Sequence, residues 1–421
     1  MADCFSAATR PARAVRSEAA LRTDTDALKI GYVLETFPSP SETFIANEIR
    51  GLAECGADVT VLALRKGSGG LGVPAQVVYP LMEPGAARPP GPGQVLERAL
   101  DAVRLGRTSP RDLLLGLRRA GVARAFAIEA ERRGIRHLHA HFASLPTDLA
   151  LMAARIAGTS VSFSAHARDL YVGKTGLARK LRRARLCLTC TEANAALVRS
   201  LAEPRDRAKV ACVYHGTDLE RFAFRPRTEP GGPPRIVAIG RMVPKKGFES
   251  LLQACALLKE RQEFACEIVG DGPLAGHLSA LSNRLGLAGI VTFPGWAPYE
   301  EMPAVYERAD VLAGPCVQAP DGDRDALPNV IVEAMAGGVA VVASDLGGIA
   351  EAVRHEETGL LCPPGDARAL ADALSRMLGD AALRGRVAAG ARKLAEQKFD
   401  CRKSARTVYE LLRRAAERAS V

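Results

Sequence analysis

The chain has 421 residues, 48% hydrophobic and 25% charged, an ordinary globular composition that excludes global disorder. At about 150 residues per domain it should hold two or three domains, each able to bury its own core. Its 57 basic residues, mostly Arg, outweigh 47 acidic ones for a net charge of +10, which favours anionic partners such as phosphorylated small molecules or an acidic membrane face. Aromatics are only 5%, so the basic–aromatic patches of single-strand binders are missing and nucleic acid is set aside as a partner. No apolar run reaches the roughly 18 residues that span a bilayer. The ten Cys are scattered and the first 26 residues lack an apolar core, which reads as a cytoplasmic protein.

Residues 1–26 read as a disordered, Arg- and Ala-rich tail. Leu28 to Glu35 reads as a buried strand, followed by the turn-rich FPSPSETF and an amphipathic helix; Val59 to Leu64 is the next strand. A Pro- and Gly-rich loop over 83–93 leads into two basic helical stretches at 94–106 and 110–133. HLHAHF, VSFSAHA and CLTCTEA read as short strands, each running into a loop and a helix. Cys187 and Cys190 lie in the last of these and, without a second pair nearby, read as buried strand residues. FAFRPRTEPGGPP, Phe222 to Pro234, has no periodicity and marks a linker. Beyond it RIVAIG, FACEIVG, IVTFPG, DVLAGP, VAVVAS and GLLCPP alternate with helical patterns. Such alternation implies parallel sheets covered on both faces, hence an α/β chain of two doubly wound domains facing each other across a cleft. The expected divisions are 27–222, a linker at 223–234, 235–396, and a C-terminal helix within 397–421 that crosses back to the first domain.

In open α/β sheets ligands bind beyond the carboxyl ends of the strands, so the loops there carry the chemistry. In DGDRDALPNVIVEAMAGG, Pro328 suits a first helical turn and Gly337–Gly338 a stop. Asp325 then precedes the helix and Glu333 lies inside it. The N–H groups of Leu327, Asn329 and Val330 form an anion site with the helix dipole behind them. GRMVPKKGFE places Arg241 and Lys246 after a strand, where a phosphate would sit. Two nucleotide motifs fail: GDGPLAG has the wrong glycine spacing for a dinucleotide fingerprint, and VGKTG lacks the upstream Gly of a P-loop. His137, His139 and His141 share one strand face with no acidic or Cys partner at ligand spacing, so no metal is expected there. His166 ends its strand at the cleft edge, where it can hydrogen-bond a substrate hydroxyl or phosphate.

In their order and spacing, FPSPSETFIANEI, HAHFA, SFSAHARDLY, HGTDLERF, GRMVPKKGFE, IVGDGPL, VTFPGW and DALPNVIVEAMAGG resemble the GT-B-fold retaining glycosyltransferases of glycosyltransferase family 4. The likeness runs from about Lys29 to Glu417 and is closest to the colanic-acid and exopolysaccharide branch. It implies transfer of a hexose-type sugar from a UDP- or GDP-linked donor, with retention, to a carbohydrate or lipid-linked acceptor. It implies no cofactor and no bound divalent ion. By position, it implies that Glu333 grips the ribose, that Ala326, Leu327 and Pro328 line the sugar, and that the N–H groups of Asn329 and Val330 meet the diphosphate. Arg241 and Lys246, after Gly240, match the pair that neutralises the leaving diphosphate. Gly270 and the loop after Gly295 lie near the base, and His166 near the reacting carbon. Glu35, Ser41 and Thr43 face the acceptor. Asp325 stands where a Glu usually meets the sugar, and Ala326 replaces a common Gly. Those two departures keep a second function open, a catalytically weak GT-B scaffold that binds partners; a nicotinamide-dependent dehydrogenase would rest on GDGPLAG alone. The basic stretch ARKLRRAR, Ala178 to Arg185, reads either as a solvated helix face or, where the acceptor is lipid-linked, as a contact with an anionic membrane from the cytoplasmic side.

Overall fold

The computed structural model describes residues 27–39, 42–68, 72–82, 110–173, 176–225 and 232–417. The expected tail, the helix at 94–106 and Ser41 lie outside these residues. Seven strands build the first sheet: β1 (Lys29–Phe37), β2 (Asp58–Lys66), β3 (Gln76–Val78), β4 (His137–His141), β5 (Ser160–Ala165), β6 (Leu186–Thr189) and β7 (Val210–Cys212). Six build the second: β8 (Arg235–Ile239), β9 (Ala265–Val269), β10 (Val291–Gly295), β11 (Val311–Gly314), β12 (Ala340–Ser344) and β13 (Leu360–Cys362). The orders are β3-β2-β1-β4-β5-β6-β7 and β10-β9-β8-β11-β12-β13, and all pairings are parallel. Both sheets are therefore doubly wound, as the strand–helix alternation requires, because a parallel neighbour is reached only by a crossover.

Each sheet buries apolar side chains on both faces, which is why its strands read as nearly continuous hydrophobic runs. β3 and β7 are only three residues long, too short to show a period in the sequence. The order reverses at β1/β4 and at β8/β11, and the carboxyl ends there open crevices where ligands bind in such sheets.

The chain does not end in the second unit. Helix Cys401–Glu417 buries Val408, Leu412 and Ala415 in one cluster with Ile30, Ile45, Ile49 and Leu52 of the first. Gly51 makes this approach possible, since a Cβ there would lie 2.3 Å from the Ala405 Cβ. Among the described residues no helix is long and apolar enough to cross a membrane.

Candidate functional site

Two loops meet at the β8/β11 reversal. After β8 the chain turns at Gly240 (φ 152°), where a Cβ would come within 3.0 Å of the Lys246 Cε, so the lysine lies along the bare glycine. Gly270 packs against Gly240 backbone to backbone: a Cβ at Gly270 would be 2.1 Å from the Gly240 carbonyl oxygen. Arg241 projects into solvent. After β11, helix Asn329–Gly337 begins with Pro328 as its N-cap (φ −61°, ψ 130°), one residue earlier than the first-turn position expected of it. Ile331 N–H bonds the Pro328 carbonyl, while those of Leu327, Asn329 and Val330 meet no protein acceptor among the described residues. These orphan donors and the dipole behind them favour an anion.

Glu333 sits on the buried side of this helix and accepts a hydrogen bond from Tyr306 Oη at 2.7 Å. Burial pushes its carboxyl up to about 7, with the Tyr306 bond pulling the other way. Asp325 has partners that its motif does not announce: Oδ2 lies 2.6 Å from Lys246 Nζ and Oδ1 3.2 Å from Lys245 Nζ. Lys245 also reaches Asp323 at 3.3 Å. Burial would raise the Asp325 carboxyl, but the two lysines outweigh it and hold it below the usual carboxylate range. Asp321, Asp323 and Asp325 alternate in a spacing that can hold a cation; here Lys245 and Lys246 neutralise Asp323 and Asp325.

Across the crevice the first sheet presents histidines. Register pairs His137 with Ser160, His139 with Ser162 and His141 with Ser164. His137 bonds the Ser160 and Ser162 hydroxyls, and His139 those of Ser162 and Ser164, at 2.6–3.0 Å. His141 instead meets Glu48 at 3.1 Å and His166 at 3.2 Å. Helix Thr43–Glu54 folds Glu48 onto the strand and gives these histidines an acidic partner 93 residues away, where no ligand spacing in the sequence reaches. Ligand atoms of Glu48, His139 and His141, and of His166, Cys190 and His215, fall within 4.8 Å in each group. Since both nitrogens of His139 already hold serine hydroxyls, hydrogen bonding accounts for this cluster. His166 is buried rather than cleft-facing, with Phe44 and His215 rings 5.2 and 5.5 Å away.

The two halves touch around this crevice. Arg168 approaches Asp323 at 3.5 Å, and the Arg324 guanidinium lies 3.8 Å over the Tyr171 ring. Glu351 accepts the N–H groups of Glu192 and Ala193 at 2.9 and 2.8 Å and the Tyr214 hydroxyl at 2.7 Å. Asn47 bonds Tyr299 at 3.5 Å. Among the residues expected at the acceptor side, Glu35 lies within β1, which runs on to Phe37, and pairs with Arg65 on β2. Thr43 opens its helix. In the basic run Ala178–Arg185, Lys180 turns inward to Asp148 at 2.9 Å and the Ala143 carbonyl at 2.6 Å, while Arg182, Arg183 and Arg185 stay exposed. Glu48, His215 and Lys245 lie inside the motifs FPSPSETFIANEI, HGTDLERF and GRMVPKKGFE without having been singled out there, and Tyr306 has no motif signal. The doubled lysine of PKKG was the one available hint for Lys245.

An orphaned helix N-terminus, flanking cations and a buried carboxyl further along the helix can hold a diphosphate with its nucleoside. The family model described as glycosyl transferases group 1 matches residues 220–394, the stretch that builds this side of the crevice. Over 379 residues the chain is 32% identical to the putative colanic acid biosynthesis glycosyltransferase WcaL of Escherichia coli, covering 83% of this chain and 90% of that protein. Over 175 residues, 39% of this chain and 46% of that protein, it is 37% identical to a GDP-mannose-dependent alpha-(1-6)-phosphatidylinositol monomannoside mannosyltransferase of Mycobacterium tuberculosis. The structure of Anabaena Alr3699/HepE in complex with UDP and glucose shares the fold, with a TM-score of 0.69 at 20% identity over 92% of this chain and all of that one. With its two doubly wound sheets and this crevice, the chain belongs to the group 1 glycosyltransferases.

Proposed function

We propose that this protein moves a hexose-type sugar from a UDP- or GDP-linked donor to an acceptor hydroxyl, with retention of anomeric configuration, as in family 4, in exopolysaccharide or related glycoconjugate synthesis. The observation that carries this reading is the helix N-terminus at Asn329, with Lys246 held on Asp325 just before it and Glu333 inside the helix. The diphosphate would dock on the N–H groups of Leu327, Asn329 and Val330, and Glu333 would accept hydrogen bonds from ribose hydroxyls. As the bond from the anomeric carbon to the phosphate oxygen breaks, negative charge gathers on the diphosphate. Arg241, Lys246 and the helix dipole stabilise that charge, and this reading assigns them the task instead of a divalent ion. The acceptor hydroxyl enters on the face the diphosphate leaves, forms the new C–O bond and gives its proton to the departing phosphate oxygen.

The UDP of the Anabaena neighbour and the GDP-mannose named for the mycobacterial relative support these two donor classes, and WcaL supports the exopolysaccharide setting. A lipid-linked acceptor would bring the exposed Arg182, Arg183 and Arg185 to an anionic membrane; equal sedimentation with neutral and anionic vesicles would end that part. The main test is a transfer assay with UDP- and GDP-hexoses, the product anomer read by NMR. One donor is expected to be turned over with its configuration kept, and Arg241→Ala or Lys246→Ala to lower kcat/KM by about 100-fold. Binding of UDP or GDP without transfer would favour the scaffold reading; no shift in melting temperature with either would overturn the donor site.

A further inference from the structure

Helix Glu192–Leu201 of the first unit starts against the second. Of its first-turn N–H groups, that of Asn194 goes to the side chain of its own N-cap, Thr191, at 3.2 Å. Those of Glu192 and Ala193 go to Glu351, the first to Oε2 and the second to Oε1. Such donors have no partner inside their helix, and a carboxylate meets them with its charge at the positive end of the dipole. Tyr214 Oη donates to the same Oε2. It stands three residues before Thr217, which pairs with Asp400 where the chain crosses between the units. One carboxylate of the second unit thus answers three donors from two separate segments.

Glu351 ends the short turn Gly347–Glu351, and the start of that turn is packed just as closely. A Cβ on Gly348 would lie 2.4 Å from Thr191 Cγ2 and 2.9 Å from the Ala326 carbonyl oxygen. Gly348 therefore touches, at once, the first unit and the loop that leads into helix Asn329–Gly337. A Cβ on Gly347 would reach the Asp325 carbonyl oxygen at 3.9 Å. Wherever the Glu351 carboxylate holds this turn, the backbone of Asp325 and Ala326 stands at a matching distance from Thr191.

We infer that Glu351 is a positioning residue: its grip on helix Glu192–Leu201 seats the turn Gly347–Glu351 on the first unit and so sets where the Asp325–Ala326 loop stands against that unit. Its part in sugar transfer rests on the proposed function, but the seating does not. Transfer needs the donor carbon and the acceptor oxygen within about 3–3.5 Å of each other, and a misplacement of about 1 Å can cost about 100-fold in rate. The groups proposed to hold the diphosphate and the ribose all lie in the second unit and do not need the grip.

The test compares the full-length parent with Glu351→Gln, whose amide nitrogen cannot accept an N–H. Hydrogen exchange without ligand, read amide by amide, is expected to quicken severalfold at Glu192 and Ala193 and to stay level in helix Phe248–Leu258. In the transfer assay kcat should fall about tenfold with KM for the donor little changed, and the Kd of UDP or GDP should stay level. Glu351→Asp, charged but one methylene shorter, should fall between the parent and Glu351→Gln in both readouts. Gly348→Ala forces the same turn off Thr191 while keeping the carboxylate. It should show the same split between kcat and Kd, and it serves if Glu351→Gln does not fold. Unchanged exchange at Glu192 and Ala193, an unchanged kcat, or a kcat loss matched by weaker nucleotide binding would overturn the inference. A parent that transfers no sugar, but whose Glu192 and Ala193 amides quicken in Glu351→Gln, would defeat the proposed function and leave the seating standing.

Discussion

Glu333 is a carboxyl with one hydrogen-bond donor, Tyr306, in a site that removes it from water. Its ordinary value of 4.5 rises to about 7 on burial, so the folded chain holds this proton more tightly than the unfolded chain does. The associated stability is fully present below the unfolded value and is lost as pH rises through about 7. A neutral amide escapes that loss. Glu333→Gln should therefore gain melting temperature relative to the parent between pH 5 and pH 8 in the absence of ligand. Nucleotide binding should move in the opposite sense, because ribose hydroxyls need an ionised acceptor. The parent's affinity for its nucleoside diphosphate should rise severalfold from pH 6 to 8, and that of Glu333→Gln should stay level. Flat difference curves in calorimetry and titration would contradict both halves. Glu333 was legible from its motif, whereas its Tyr306 partner, 27 residues earlier, was not.

The turn Pro244–Lys246 and the helix after it depend on Gly247. It is left-handed at φ 67°, and a Cβ there would lie 1.8 Å from the Pro315 carbonyl oxygen. Backbone on one side and an unfavourable dihedral on the other leave a side chain nowhere to go. Gly247→Ala should thus push the turn off the end of β11, at about 2 kcal/mol or more of stability. It should also draw Lys245 and Lys246 away from Asp323 and Asp325, weakening nucleoside diphosphate binding. Urea unfolding and ligand titration check both, and an unchanged midpoint with unchanged affinity would rule the close approach out. At this scale the reading from sequence did well where periods are long. The strands RIVAIG and VAVVAS announce themselves, while of the three-residue strands only β13 shows, as the apolar run of GLLCPP, and β3 and β7 pass unseen because three residues cannot display alternation. Pro328 fits an N-cap as well as a first turn, and only the backbone angles separate the two.

Across the whole molecule the two units are tied by chain ends and by a few polar contacts. Leu412 is fully buried against residues more than three hundred positions earlier in sequence, among them Ile45 and Ile49. Leu412→Ala should cost about 2–5 kcal/mol. Amide exchange should speed up in helix Thr43–Glu54 while helix Phe248–Leu258 keeps its protection. Exchange that rises equally in both helices, or in neither, would mean that the C-terminal helix does not belong to the first unit. Glu351 provides a second tie, capping helix Glu192–Leu201 from the opposite unit.

The sequence by itself determined the layered α/β architecture, because strand–helix alternation and apolar runs are local and each needs only its own neighbours in the chain. It also marked the helix on which the proposed anion site lies, since Pro328, Asn329 and Glu333 belong to one short stretch whose geometry is set by consecutive residues. Only the tertiary structure decided which charges face each other there. Lys246 and Asp325 lie 79 residues apart, Glu48 and His141 lie 93 apart, and Glu192 and Glu351 lie 159 apart. No period or spacing rule reaches across such distances. The crossover connections of a doubly wound sheet bring strand ends together in an order that differs from their order along the chain, and so the partners of a charged side chain come from the sheet and not from the sequence beside it.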